Sequence, residues 1–151
     1  MKALSLWQPH ATLVAIGAKP YETRSWETSY RGPLAIYATV NFPKQARLLC
    51  GQEPFLSALG RAGYRAIHEL PFGAVVAPVR LVDCVPTSVL DLAALSEEER
   101  AFGDFSEGRF AWKLELIHRL LAPIPARGRE RLWEWAAPGW AVAIATFHGG
   151  E

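Results

Sequence analysis

The chain has few cysteines, almost no net charge and no long hydrophobic run. Cys50 and Cys84 are its only cysteines, and neither belongs to a Cys-x-x-Cys pair or lies beside a histidine cluster. We therefore expect no disulfide framework, no zinc site and a reducing, cytoplasmic location. No apolar run approaches the ~20 residues that a membrane-spanning helix needs, so we expect no membrane partner. With a formal net charge of +1, any attraction to nucleic acid requires a local basic patch.

The sequence also lacks the short motifs that mark common enzyme and cofactor sites. It has no P-loop, no dinucleotide fingerprint and no nucleophile elbow. Its four histidines are scattered without metal-ligand spacing. We therefore predict neither a metal nor a cofactor. The 151 residues show no repeat or linker, which predicts one domain over 1–151, and we expect a monomer.

Short strands alternate with short helices along the chain. The patterns predict strands at 3–7, 19–26, 33–40, 73–85, 110–118 and 139–147. They predict helices at 9–16, 43–50 and 54–59 and, from a capping box, after 96. The composition of residues 127–135 predicts a basic loop. Because regular βαβ spacing is missing, we predict an α+β fold, a mixed β-barrel of five or six strands with short peripheral helices.

The most unusual charge pattern lies at 19–26, with the sequence KPYETRSW. If this segment is extended, Glu22 and Arg24 share one face and Lys19 lies on the other. Unpaired charges in a core cost several kcal/mol each, so we predict that the segment lines water or a ligand. Two interpretations stay open. It is either a solvated edge strand, or a pocket in which the cations hold an anion and the glutamate orients a hydroxyl or acts as a base.

Aromatic residues lie near these charges, at Trp7, Trp26 and Tyr37. Each of them alone is consistent with ordinary core packing. Together with arginine and lysine, they also supply what stacking on a nucleobase requires.

Further along, arginine and tryptophan interleave at Arg127, Arg129, Arg131 and Trp133. This segment is either a phosphate-contacting loop or a solvated loop that covers the barrel end. Asp104 lies beside a glycine between two phenylalanines, which is typical of a turn near a pocket and equally of a simple Asx-turn.

Several ordered motifs resemble the ASCH (activating-signal-cointegrator homology) domain family. They are S-L-W-Q-P-H-A at 5–11, G-A-K-P-Y-E-T-R-S-W at 17–26, Y-R-G-P-L-A-I-Y-A at 30–38, G-A-V-V-A at 73–77, F-G-D at 102–104 and R-F-A-W at 109–112. The resemblance implies a pseudouridine-synthase-and-archaeosine-transglycosylase-like (PUA-like) β-barrel whose cleft is lined by the G-x-K-x-x-E-x-R segment. It also implies binding of RNA, single-stranded nucleic acid or a nucleotide.

The leading prediction is a nucleic-acid-binding cleft in which cations contact phosphate or a base carbonyl, Glu22 accepts from a base amino group and aromatic rings stack. The candidate binding residues are Trp7, Lys19, Glu22, Arg24, Trp26, Arg31, Tyr37 and Lys113. We also predict that Asp104 converges on this cleft with Lys19, Glu22 and Arg24.

The alternative is an enzyme that uses the same cleft. Some members of the resembled family hydrolyse the amide of N4-acetylcytidine with a Lys and a Thr in K-x-x-T-x-R, and others are linked to ribonuclease activity. Here Lys19 matches, but Glu22 takes the place of that Thr, and Thr23 is offset by one residue onto the other strand face. In an enzyme, Lys19, Glu22 and Asp104 would be the acid–base groups. A third class, a protein-interaction module, has the least support because no exposed apolar stripe is evident.

Overall fold

A computed structural model describes residues 1–148 of the chain. The strands are β1 (Lys2–Leu6), β2 (Tyr21–Arg24), β3 (Gly32–Ala38), β4 (Ala74–Pro86), β5 (Phe110–Leu116), β6 (Ile124–Pro125) and β7 (Leu132–Glu134). The α-helices are α1 (His10–Ala15), α2 (Lys44–Leu49), α3 (Phe55–Arg61), α4 (Glu97–Ala101) and α5 (Gly139–His148). In the described part of the chain, no helix is long and apolar enough to cross a membrane.

The strands form one curled sheet in the order β2-β5-β4-β3-β1-β7, and the two-residue β6 pairs with β4 beside this path. Strands β1 and β3 run parallel, whereas the other pairs are antiparallel. The 13-residue β4 is the longest strand and pairs with both β3 and β5. The six strands of the path make a half-barrel with short helices around it, which confirms the predicted mixed α+β fold.

Alternate residues of β1 and β3 point to opposite sides of the sheet, and a buried cluster covers each side. Leu4 and Ile36 are fully buried in a cluster that includes residues of helix α1 and the fully buried Trp112. Their neighbours Ala3 and Ala35 belong to a second cluster, on the side where helix α5 packs on β3 and β4. The sheet is therefore the middle layer between two helices.

Two predictions for the C-terminal region are wrong. The segment predicted as a strand at 139–147 is helix α5, and the predicted loop at 127–135 contains β7, which pairs with β1. A run of small apolar residues does not distinguish a strand from a buried helix by periodicity, and alanine is the best helix former. Ala141 and Ala145, four residues apart, are both buried, as one helix face requires.

The curl brings β1 close to β2, although these strands do not pair. The Nη2 atom of Arg24 at the end of β2 donates to the carbonyl of Ser5 in β1 at 2.8 Å. From the other side, the amide of Ser5 donates to the carbonyl of Arg131 at 3.0 Å. Two hydrogen bonds at Ser5 therefore tie β1 to β2 and to the segment before β7.

Candidate functional site

A cavity of about 670 Å³ opens where β1, β2 and residues 128–131 meet. We call residues 128–131 the rim loop. The other walls come from the start of helix α1, the end of β3 and the turn at 102–104, joined by Arg109. The volume lies within the range of about 300–1,000 Å³ that is usual for ligand pockets.

Six of the residues predicted from the sequence line this cavity. They are Trp7, Lys19, Glu22, Arg24, Tyr37 and Asp104. The geometry therefore brings Asp104 to the same cavity as the three charges near the N-terminus, as one shared cleft requires. The roles of these residues stay predictions.

The other three predicted binding residues lie outside the cavity. Exposed Arg31 donates to the carbonyls of Thr28 and Tyr30. Exposed Lys113 lies opposite Tyr21 in the β2–β5 pair. Trp26 packs edge-to-face on Trp112, with ring centroids 4.7 Å apart.

Lys19 is almost completely buried, with 3% of its side chain exposed. Its ammonium group contacts three acceptors, namely the carbonyl of Phe102, Oε1 of Glu22 at 3.1 Å and Nδ1 of His10 at 2.8 Å. A lysine ammonium has three protons, so all of them are used within the protein.

Glu22 is saturated in the same way. Its Oε1 accepts from Lys19 and from the amide of Thr23, and its Oε2 accepts from Nε and Nη2 of Arg24 at 3.1 and 2.9 Å. These four bonds match the roughly four lone-pair sites of a carboxylate. His10, Lys19, Glu22 and Arg24 thus form one connected group, which we call the floor network.

The segment lines the cavity, as the prediction of a lining for water or a ligand requires, and its charges are also paired with one another inside the floor network. The predicted placement of Lys19 is wrong. Lys19 and Glu22 are in contact and not on opposite faces, because the strand begins only at Tyr21. Gly17, with a φ of 80°, turns the chain after helix α1, and the amide of Lys19 bonds back to the carbonyl of Leu13 at 3.1 Å. Strand alternation therefore does not apply to Lys19.

Burial and pairing shift the pKa values of His10, Glu22 and Lys19. Burial lowers the pKa of His10 to about 3, with a further contribution from the charge of Lys19. Burial acts to raise the pKa of Glu22, but the charges of Lys19 and Arg24 outweigh it and lower the value to about 2. Burial lowers the pKa of Lys19, and the adjacent Glu22 carboxylate opposes this effect. His10 is therefore neutral and Glu22 ionised.

Two donors of the floor network have no partner among residues 1–148. One is Nη1 of Arg24, whose Nε and Nη2 are occupied by Glu22 and Ser5. The other is Nε2 of His10, because the ammonium of Lys19 requires Nδ1 as an acceptor and so assigns the ring proton to Nε2. Both residues line the cavity, so the floor presents donors to a ligand.

The rim loop is exposed and carries cations without carboxylate partners. In the described part of the chain, neither Arg129 nor Arg131 forms an ion pair. The Arg131 guanidinium lies 4.5 Å from the centre of the Trp26 ring, and the Arg131 backbone has a φ of 62°. Gly128 packs so closely that a Cβ added there would lie 2.0 Å from Cε1 of Tyr37.

Asp104 and Arg109 also line the cavity and form an ion pair. Nε of Arg109 lies 3.4 Å from Oδ2 of Asp104, and Nη2 donates to the carbonyl of Thr23 at 3.2 Å. Hydrogen bonds from Ser106, and secondarily the charge of Arg109, lower the pKa of Asp104. This pair therefore adds little free charge to the cavity.

Sequence reasoning missed His10 and Arg109 as cavity residues. His10 was grouped with the scattered histidines because its role depends on the ammonium of Lys19, nine residues away. A usable signal existed, since His10 belongs to the Q-P-H-A motif and Arg109 to the R-F-A-W motif. Nowhere in residues 1–148 do three or more potential metal ligands cluster.

Comparison with known proteins decides the family. The sequence model of the ASCH domain matches residues 4–133, which is most of the chain. The chain belongs to the ASCH domain family. This ASCH domain is 27% identical over 131 residues to activating signal cointegrator 1 from Homo sapiens and to its counterpart from Mus musculus. Those alignments include 87% of this chain and only 22% of each relative's length.

Solved structures show the same fold. The crystal structure of ASCH from Zymomonas mobilis has a TM-score of 0.51 at 17% identity, with 97% of this chain and 93% of that chain covered. A serine-to-alanine variant of the Zymomonas protein has a TM-score of 0.51 at 16% identity, with 97% and 94% covered. At this identity the likeness shows the fold alone.

Proposed function

We propose that this ASCH domain binds single-stranded RNA or a nucleotide in the cavity between β1, β2 and the rim loop. The observation that carries this proposal is the combination, in a cavity of about 670 Å³, of arginine side chains without carboxylate partners and an exposed indole. The family is generally associated with RNA binding, and this supports the class of ligand.

The charge of the rim favours an anionic ligand. Arg129 and Arg131 are exposed at one wall, and Nη1 of Arg24 is available from the floor. Glu130 is the one carboxylate on the rim loop itself. Because the net charge of the whole chain is only +1, this local excess of cations is what attracts phosphate.

Flat surfaces for a base lie beside these cations. Trp7 lines the cavity with 42% of its surface exposed, which is unusual for tryptophan in a packed fold. The guanidinium of Arg131, supported from behind by Trp26, offers a second flat face. Bases stack on both kinds of surface in single-stranded RNA complexes. Tyr37 contributes less, because its ring is packed on Trp133 and its hydroxyl donates to Ala126.

The protonation states favour binding over acid–base catalysis. A general acid or base works best when its pKa lies near the operating pH. The pKa values of His10 and Glu22, about 3 and about 2, lie far below neutrality. Lys19 and Glu22 also use their protons and lone pairs in hydrogen bonds within the protein, so neither group is free to exchange a proton with a ligand.

Titration of a short fluorescent single-stranded RNA against wild-type protein and the double variant Arg129→Ala/Arg131→Ala tests this proposal. We expect the affinity to fall about tenfold or more, which corresponds to the loss of at least one charge-assisted hydrogen bond. Arg127→Ala is the matched control, because Arg127 is exposed beside the rim loop but does not line the cavity. Equal affinities in all three proteins, or no binding by the wild type, would overturn the proposal.

The same samples separate binding from turnover. RNA and acetylated cytidine are incubated with the protein and analysed for cleaved RNA or free cytidine. Unchanged substrate together with a reversible complex supports binding. Product formation by the wild type that is lost in the Glu22→Gln variant would favour the enzyme alternative.

A further inference from the structure

We propose that the floor network is an oxyanion subsite that receives a terminal phosphate, either of a nucleotide or of an RNA end. The proposal rests on the proposed function, because it specifies which part of the ligand reaches the bottom of the cavity. It is carried by the hydrogen-bonding capacity that the floor network leaves unused.

The floor offers donors and no acceptors. Both oxygens of Glu22 are saturated by Lys19, Thr23 and Arg24, and Nδ1 of His10 accepts from Lys19. What remains free is Nη1 of Arg24, with two N–H groups, and Nε2–H of His10. A base amino group, itself a donor, would find no partner there. A fully ionised phosphate monoester presents only acceptors.

The floor also has an excess of basic groups. Two basic side chains, Lys19 and Arg24, share the single carboxylate of Glu22, and His10 is neutral, so basic groups outnumber acidic ones in the floor network. Asp104, a carboxylate on another wall of the cavity, is engaged by Ser106 and Arg109. Half-buried charge is stabilised by an anion more than by a neutral carbonyl, since the local dielectric is low. The charge therefore favours phosphate over an uncharged base edge.

The depth of the floor favours a terminal group. Only 9% of the Glu22 side chain and 20% of the Arg24 side chain are exposed. A phosphate monoester has one covalent attachment and can project to such a depth while the rest of the ligand stays at the rim. A phosphodiester within a chain has two attachments, both of which would have to leave through the same opening.

Lys19 and Glu22 then act as positioning residues. Glu22 holds the guanidinium of Arg24 through two nitrogens, and Lys19 holds Glu22. Neither needs to contact the phosphate. This differs from the expectation that Glu22 accepts from a base amino group and that Lys19 contacts phosphate directly.

The test is calorimetric titration of the full chain with uridine, uridine 5′-monophosphate, uridine 3′-monophosphate and inorganic phosphate. We expect at least one monophosphate to bind tenfold or more tightly than the nucleoside, and inorganic phosphate to compete with it. Arg24→Lys keeps the positive charge next to Glu22 but removes the Nη1 edge. It should weaken monophosphate binding about tenfold and leave nucleoside binding unchanged.

His10→Asn supplies a second, milder variant. The side-chain oxygen of asparagine can still accept from Lys19, while the Nε2–H donor is lost. At pH 8, monophosphate affinity should fall a few-fold while the variant remains folded at the temperature of the titration. Two results together would contradict the subsite. The affinity of the variant would fall only because the variant unfolds, and inorganic phosphate would not compete with the monophosphate for the wild-type protein.

The outcomes separate this inference from the proposed function. If RNA binds but the nucleoside binds as well as its monophosphates, and inorganic phosphate does not compete, the subsite is wrong and the binding function stands. If inorganic phosphate binds in an Arg24-dependent way but neither RNA nor nucleotide does, the subsite stands and the binding function is wrong. If none of these ligands binds, both are overturned.

Discussion

The floor network and the rim loop are both rich in charge, but they use it in opposite ways. In the floor network, nearly every proton and lone pair is committed to another protein group. In the rim loop, the side chains of Arg129 and Arg131 are exposed and without ion-pair partners in the described residues. The comparison indicates that the clustered charges of segment 19–26 stabilise the site, whereas the arginines of the rim loop are available to a ligand.

The largest effect is expected from breaking the floor network at its most buried member. Lys19→Ala leaves the Glu22 carboxylate buried with one partner fewer, and removing one partner of a buried pair costs about 3–5 kcal/mol. Chemical denaturation should show a loss of this size. Lys113→Ala, at an exposed lysine, is the control and should change the free energy of unfolding by less than about 0.5 kcal/mol. A similar small change in both variants would mean that the floor network is not structural.

Acid should weaken the floor network before it affects the rim. The pKa of His10 is about 3 in the folded protein against an ordinary value of 6.5, so below pH 6.5 the unfolded chain takes up a proton that the folded chain refuses. The free energy of unfolding should therefore fall by up to about 1.4 kcal/mol for each pH unit below 6.5. Below pH 4.5, Glu22 adds a second loss that continues towards its folded pKa of about 2.

Denaturation curves between pH 8 and pH 4 measure this dependence. His10→Asn carries no titrating ring and should show a flatter profile between pH 6.5 and 4.5. Identical profiles for the variant and the wild type would show that His10 is free to protonate in the folded state.

A smaller effect is expected where the rim loop meets the sheet. Gly128→Ala places a Cβ against the Tyr37 ring, which should cost about 1–3 kcal/mol as the loop moves away. Gly60→Ala is the matched control, because Gly60 lies in α3 with nothing within 4 Å of an added Cβ. The control should stabilise the protein by about 0.5–1 kcal/mol. If Gly128→Ala also stabilises, the rim loop is not fixed by Tyr37.

The smallest expected effect is on stability at Arg131, where two substitutions distinguish the contribution of the backbone from that of the side chain. Its φ of 62° is favourable for glycine and unfavourable for other residues by about 1–2 kcal/mol. Arg131→Gly should therefore be about 1 kcal/mol more stable than Arg131→Ala, while both lose the same affinity for RNA. Equal stabilities of the two variants, measured by thermal denaturation, would show that the backbone carries no strain there.

Much of the fold was predictable because its strands alternate clearly. Strand β5 was expected at 110–118 from its alternating apolar residues, and it is found at Phe110–Leu116. Helix α5 was not predictable, since a run of alanine, valine and isoleucine suits a buried helix and a buried strand equally. Its packing against β3 and β4 settles the matter, and no local pattern encodes that contact.

The candidate site was predictable in its residues but not in their partnerships. The close spacing of charges in segment 19–26 predicts a polar site there. The pairing of Lys19 with Glu22 depends on the hydrogen bond from the Lys19 amide to the carbonyl of Leu13. It also depends on the carbonyl of Phe102, which lies 83 residues from Lys19. The surroundings of His10 depend on the same long-range contacts. Such partnerships follow from the fold, so the sequence alone assigned direct ligand contacts to groups that are already satisfied.

The salt dependence of RNA binding tests the central claim most directly. If the ligand is held by Arg24, Arg129 and Arg131, log affinity for a single-stranded RNA should fall with log salt with a slope of about −2, at roughly −0.7 for each phosphate. Arg129→Ala/Arg131→Ala should reduce this slope to about −0.7, and Lys113→Ala should leave it unchanged. A slope that the rim-loop variant does not alter, or one that Lys113→Ala does alter, would contradict the account.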